Sequence, residues 1–163
     1  YNIYIYIYIY TIYKCILAEH TTDNMGQLLG NWKLEKNENW DEFMSAMGMN
    51  FVLRKVASKL TVCQEIIQNG DNWEINMTST FKNKSVKFQL GVPFDDETMN
   101  GRKIKATFTL KDDVLILNQK GIKEGDSDMV VTRQVDENDQ LIETFKIVQK
   151  NVVAVKTSKR YTP

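Results

Sequence analysis

The sequence predicts an all-β domain carrying a small helical lid, and three observations lead there. From Thr61 onward, apolar and polar residues alternate in short runs, and none of these runs has helical spacing. The links between runs are brief, as at Asp112-Asp113, Asp136-Glu137-Asn138-Asp139 and Gln149-Lys150, so neighbours in sequence should pair antiparallel. The apolar period changes only once, from two to helical, between the first strand and the others. Strands in meander order suit a sandwich or a closed barrel. Closure removes exposed edges, so the barrel is favoured.

Each element has a local reason. Asn31 to Lys36 alternates as a strand. Trp40, Phe43, Met44 and Met47 then fall at i, i+3, i+4 and i+7, a single stripe of a helix. Asn39 followed by Glu42 has the spacing of a capping box, and Gly48 ends the helix. Asn50 can cap a second short helix whose apolar positions are Leu53, Val56, Ala57 and Leu60. Thr61–Gln68 and Asn72–Thr80 flank Asn69-Gly70, the signal of a hairpin with a type I′ turn. Further strands are expected at Ser85–Leu90, Lys103–Leu110, Val114–Gln119, Met129–Val135, Leu141–Val148 and Val152–Lys159, with a short one around Phe94. The prolines, Pro93 and Pro163, lie outside all strand interiors.

Two late strands carry an oddity. In Met129–Val135, Arg133 shares a face with Val131 and Val135, while Val130, Thr132 and Gln134 take the other. If the valine face is interior, a guanidinium that cannot shed its proton lies inside and needs an anion or water. In the last strand, Lys156 and Ser158 share a face with Val152 and Ala154. Two cations and a hydroxyl among aliphatic residues suggest a pocket for an amphipathic anion. Alternation alone equally allows these groups to face solvent.

Composition narrows the function. A net charge of zero with dispersed basic residues gives no footprint for nucleic acid. Cys15 and Cys63 make no disulfide framework, and with His20 as the sole histidine a zinc site is not expected. Residues 1–24 differ from the rest: Tyr4 to Tyr10 is a strict Tyr-Ile repeat, apolar on both faces, with an aggregation-prone profile. It lacks the basic start of a signal peptide and is too short for a membrane span. An alternating TA repeat translates to this pattern, so residues 1–24 are read as a disordered or artefactual extension and 25–163 as the domain. Without the extension no histidine remains. That weakens nearly every histidine-dependent catalytic scheme.

The body resembles the fatty-acid-binding protein family of intracellular lipid-binding proteins, from Met25 to Arg160. The resemblance lies in Gly30-Asn31-Trp32-Lys33-Leu34, Asn39-Trp40-Asp41-Glu42-Phe43-Met44 and Gly48-Met49-Asn50-Phe51 followed by Arg54-Lys55-Val56-Ala57. It continues in Ser79-Thr80-Phe81-Lys82-Asn83 and in Gly91-Val92-Pro93-Phe94-Asp95-Asp96-Glu97 with Gly101-Arg102-Lys103. Trp40 stands where the family signature has Phe or Tyr. The resemblance implies a ten-stranded antiparallel up-and-down barrel capped by a helix-turn-helix, holding one long-chain fatty acid. It also implies a monomeric cytoplasmic carrier with no cofactor and no enzymatic activity.

In that family an interior Arg on the eighth strand and an Arg-x-Tyr pair on the last strand meet the ligand carboxylate. Arg133 resembles the first. On the last strand Lys156 takes the Arg position and Ser158 the Tyr position, which weakens the clamp: lysine is a mobile point charge and serine is short. Trp40, Met44 and Phe81, from the lid and a portal turn, are expected to meet the acyl chain. Alternative readings are a carrier of another hydrophobic carboxylate, such as a retinoid, or a ligand-regulated protein that contacts membrane or a partner. For the latter, Arg54, Lys55 and Lys59 on the second helix would make transient membrane contact.

Overall fold

The computed structural model describes residues 25–98 and 101–163. The reading of residues 1–24 as an extension lies outside the described residues. A short helix α1 (Met25–Leu28) precedes strand β1 (Gly30–Glu38), and helices α2 (Trp40–Ala46) and α3 (Phe51–Ala57) follow it. The remaining strands are β2 (Val62–Asn69), β3 (Asn72–Ser79), β4 (Lys84–Gln89), β5 (Phe94–Glu97), β6 (Lys103–Lys111), β7 (Val114–Gly121), β8 (Met129–Val135), β9 (Gln140–Ile147) and β10 (Val152–Arg160).

One ten-stranded sheet runs β4-β3-β2-β1-β10-β9-β8-β7-β6-β5, antiparallel throughout. The expected up-and-down barrel is therefore present, joined end to start by the β1–β10 ladder. Closure stops short at one seam. β4 and β5 are the two edges of the sheet, with no ladder between them among the described residues. Side chains bridge the seam instead: Lys84 Nζ lies 2.7 Å from Asp96 Oδ2 and also donates to the Glu97 carbonyl.

A bulge in β1 matters for the interior. Leu34 pairs with Ser158, but Lys36 pairs with Thr157, so β1 carries one extra residue between them. Trp32 and Leu34 face inward before it. Asn37 faces inward after it, opposite Lys156.

The main core gathers Trp32, Trp73, Phe88, Phe108, Leu115 and Leu141 toward the end away from α2 and α3. Phe88 and Phe108 stack with centroids 3.6 Å apart, and Trp32 Nε1 donates to the Leu28 carbonyl at 2.9 Å. A smaller cluster at the other end packs Phe43 of α2 on Ile147 and Ala154.

Three local expectations are corrected. The β2–β3 turn centres on Gly70-Asp71, because Asn69 pairs with Asn72; only Gly70 has positive φ (57°), so the turn is not type I′. Asn39 precedes α2 in a left-handed conformation (φ 55°) with no side-chain cap. Its amide instead donates to the Val153 carbonyl at 2.7 Å, tethering the lid to β10. Asn50 does cap α3, accepting from the Leu53 N–H at 3.0 Å. Yet α3 buries none of its residues, and Phe51, Val52, Leu53 and Val56 are exposed. Of its expected stripe, Leu53 and Val56 face solvent, while Ala57 and Leu60 line the barrel cavity.

Candidate functional site

Inside the barrel is a cavity of about 310 Å³. Its wall toward the lid is apolar, with Trp40 and Met44 from α2, Met77 from β3 and Phe145 from β9. Trp40 stacks on Phe43 at 5.1 Å and meets Phe145 edge-on at 5.1 Å, so three rings hold one another in place.

Deeper in, register assembles a polar row. Arg133 on β8 is opposite Glu143 on β9, which is opposite Lys156 on β10, which is opposite Asn37 on β1. All four line the cavity. Arg133 and Glu143 are each only 5% exposed, and Arg133 Nε lies 3.0 Å from Glu143 Oε1. That contact is an ion pair by distance, but the N–H is not aimed at the oxygen: Nε and Nη1 of Arg133 have no hydrogen-bond acceptor among the described residues. Glu143 Oε2 accepts from Gln64 Nε2 at 2.7 Å, while Gln64 Oε1 has no donor among the described residues.

The Lys156 ammonium sits 3.9 Å from the Trp40 ring centre and 5.3 Å from that of Phe145. Part of the residue's surface faces the open cavity, but protein surrounds the ammonium itself. Burial holds its pKa below the ordinary 10.5; Glu143 pulls it back up and Arg133 pushes it further down. Ser158, one alternation along β10, is 2% exposed and also lines the cavity.

The fold thus brings together five of the six residues named from sequence: Arg133, Lys156, Ser158, Trp40 and Met44. Phe81 stands apart. It is 68% exposed and does not line the cavity. The Ser79 hydroxyl accepts from the backbone N–H groups of Phe81 and Lys82 and donates to the Lys82 carbonyl, closing a tight turn with Phe81 outside.

Glu143 and Gln64 were not anticipated, although the same alternation marks them. Glu143 shares a face with Leu141, Phe145 and Ile147, and Gln64 lies between Val62 and Ile66 on their face. Arg54 was expected to offer its charge outward. Instead it pairs with Asp41 at 3.1 Å and donates to the Met49 carbonyl at 3.1 Å, joining α2 to α3.

Among the described residues no group of three or more His, Cys, Asp or Glu is placed to hold a metal, and no helix is long and apolar enough to cross a membrane.

Comparison with known proteins places this arrangement. Fatty acid-binding protein homolog 5 of Caenorhabditis elegans is 41% identical over 120 residues, 74% of this chain and 88% of that protein. A solved "REP1-NXSQ fatty acid transporter" superposes with a TM-score of 0.77 at 36% identity, covering 85% of this chain and 98% of the other. A Schistosoma mansoni fatty acid binding protein in complex with arachidonic acid gives 0.76 at 29% identity, over 85% and 99% of the two chains. Residues 29–161 match the family model itself. The chain, a nearly closed ten-stranded barrel around a lined cavity, belongs to the lipocalin / cytosolic fatty-acid binding protein family.

Proposed function

We propose that this chain is a non-enzymatic carrier that takes a long-chain fatty acid into the barrel, its carboxylate directed at Arg133 and Lys156 and its chain laid against Trp40, Met44 and Phe145. One observation carries the reading: a largely apolar cavity is lined by two cations, Arg133 and Lys156, which register sets in one row across β8, β9 and β10. The Schistosoma relative's complex with arachidonic acid supports the ligand class. Each methylene removed from water contributes roughly 0.8 kcal/mol, so affinity should climb with chain length until the cavity is full. Ser158 adds a hydroxyl, through water if the carboxylate stays beyond its reach.

The test is a binding series of a fatty acid against its methyl ester. Arg133→Gln should weaken the acid more than the ester, and Lys156→Met should do so by less. Equal loss of acid and ester in Arg133→Gln would move head-group recognition elsewhere.

The exposed Phe51, Val52, Leu53 and Val56 of α3, with Lys55 beside them, favour delivery by contact with an anionic membrane. Transfer to anionic vesicles should then slow in high salt. Salt-independent transfer would assign delivery to free diffusion.

A further inference from the structure

The guanidinium at the end of the cavity is already matched. Glu143 Oε1 lies 3.0 Å from Arg133 Nε, and the other carboxylate oxygen is held by Gln64 Nε2 at 2.7 Å. Glu143 stands opposite both Arg133 and Lys156, so the row carries one net positive charge. Two kinds of polar capacity stay unused on the groups that grip this carboxylate. Among the described residues Arg133 Nη1 and Nε lack acceptors and Gln64 Oε1 lacks a donor, all three being buried atoms. The Gln64 amide cannot simply be turned over, because a carboxylate oxygen accepts only and the amide nitrogen must face it.

This arrangement has a consequence for ligand choice. An incoming carboxylate offers acceptors alone and must share Arg133 with an anion fixed on the neighbouring strand, so like charges meet in a desolvated site. An uncharged hydroxyl meets no such repulsion. We infer that Glu143 is a specificity-determining residue, an internal counter-ion that competes with a ligand carboxylate for Arg133 and so opens the cavity to long-chain lipids with an uncharged hydroxyl head. The inference rests on the reading of Arg133 as the head-group partner. It extends the ligand class from fatty acids to long-chain alcohols and comparable neutral lipids.

The decisive measurement is the ratio of affinities for oleate and oleyl alcohol, which cancels general losses of cavity integrity. Glu143→Gln keeps the side-chain shape and removes the charge. It should raise the oleate-to-alcohol ratio at least tenfold, both in the native background and in Lys156→Met, which lacks the titrating amine. A ratio within twofold of the native value, or a lower one, overturns the inference.

Should Glu143→Gln fail to fold because Arg133 is left buried without a counter-ion, a second pair decides. Arg133→Gln alone should lose at least tenfold in oleate affinity relative to the alcohol, since Glu143 then faces the ligand unopposed. Arg133→Met combined with Glu143→Leu removes both charges and should recover at least fivefold of that ratio. No recovery overturns the role of Glu143 while leaving Arg133 as a direct carboxylate partner. An unchanged ratio in Arg133→Gln overturns the carboxylate reading itself, and the inference with it.

Discussion

The two ends of this barrel treat apolar side chains in opposite ways. At the end away from the lid, Trp32, Trp73, Phe108, Leu115 and Leu141 are sealed from water and packed into a single cluster. At the lid end, α3 leaves Phe51, Val52, Leu53 and Val56 in solvent and buries nothing. One end supplies most of the cohesion, because burial of apolar area is the main favourable term in folding. The other keeps its helices attached by a few specific links: the Arg54–Asp41 pair, the Asn39 amide on Val153, and the Phe43 contact with Ile147 and Ala154. A carrier needs both, since a cavity sealed at each end could not exchange its contents.

Mutations at the two ends should therefore separate stability from binding. Trp73→Ala should cost about 3–5 kcal/mol in denaturant unfolding, as expected for a fully packed aromatic. Val52→Ser, at a position 69% exposed, should stay within about 0.5 kcal/mol. A large loss from Val52→Ser would erase the contrast between the ends.

Trp40 belongs to the boundary, half-buried, stacked on Phe43 and lying under the Lys156 ammonium. Trp40→Ala should weaken fatty-acid binding by more than it lowers stability, by roughly tenfold or about 1.4 kcal/mol. Titration calorimetry beside an unfolding curve checks this. Unchanged affinity with a large stability loss would make Trp40 ordinary core.

The seam between β4 and β5 offers a gentler probe. Lys84→Met removes the half-buried bridge to Asp96 and should lower stability by about 1 kcal/mol. Ligand dissociation, followed by stopped-flow, should quicken, because the pair joins two edges that share no backbone ladder among the described residues.

The smallest expected effect is a slope. Burial keeps the Lys156 pKa below 10.5 in the folded protein, while unfolding returns it toward that value. Between the folded value and 10.5 the unfolded chain binds more protons. The stability contribution is thus fully present above 10.5 and lost as pH falls through the folded value. The empty barrel should gain stability as pH rises across that window, and Lys156→Met should flatten the gain. A bound carboxylate raises the Lys156 pKa, so affinity for a fatty acid should fall as pH rises through the same window. Glu143 and Arg133 are the charged groups that face this ammonium, so the Glu143 variants should shift the window downward.

Much of this architecture was legible in the chain. Alternation located the strands to within a residue or two, and the single change of period located α2 and α3. The strand face that holds Val131 and Val135 does turn inward and carries Arg133 with it. What escaped was chemistry that depends on who stands opposite. Asn39 has the spacing of a helix cap, but its amide bonds a carbonyl 114 residues away, which no local rule contains. Phe81 lies in a recognisable turn, and the Ser79 hydroxyl decides that its ring stays outside.

From the sequence alone came a meander of antiparallel strands, two short helices, and strand faces that put Arg133 with Val131 and Lys156 with Ala154. These follow from periodicity and local residue types, which act over a few residues; that those faces turn inward was implied only by the family resemblance. Tertiary structure alone decided that the interior already contains an anion. Register sets Glu143 between Arg133 and Lys156, and the β1 bulge turns Asn37 into the same row. Charges on separate strands interact through distance and dielectric, and both are set only once the sheet has curled around its cavity.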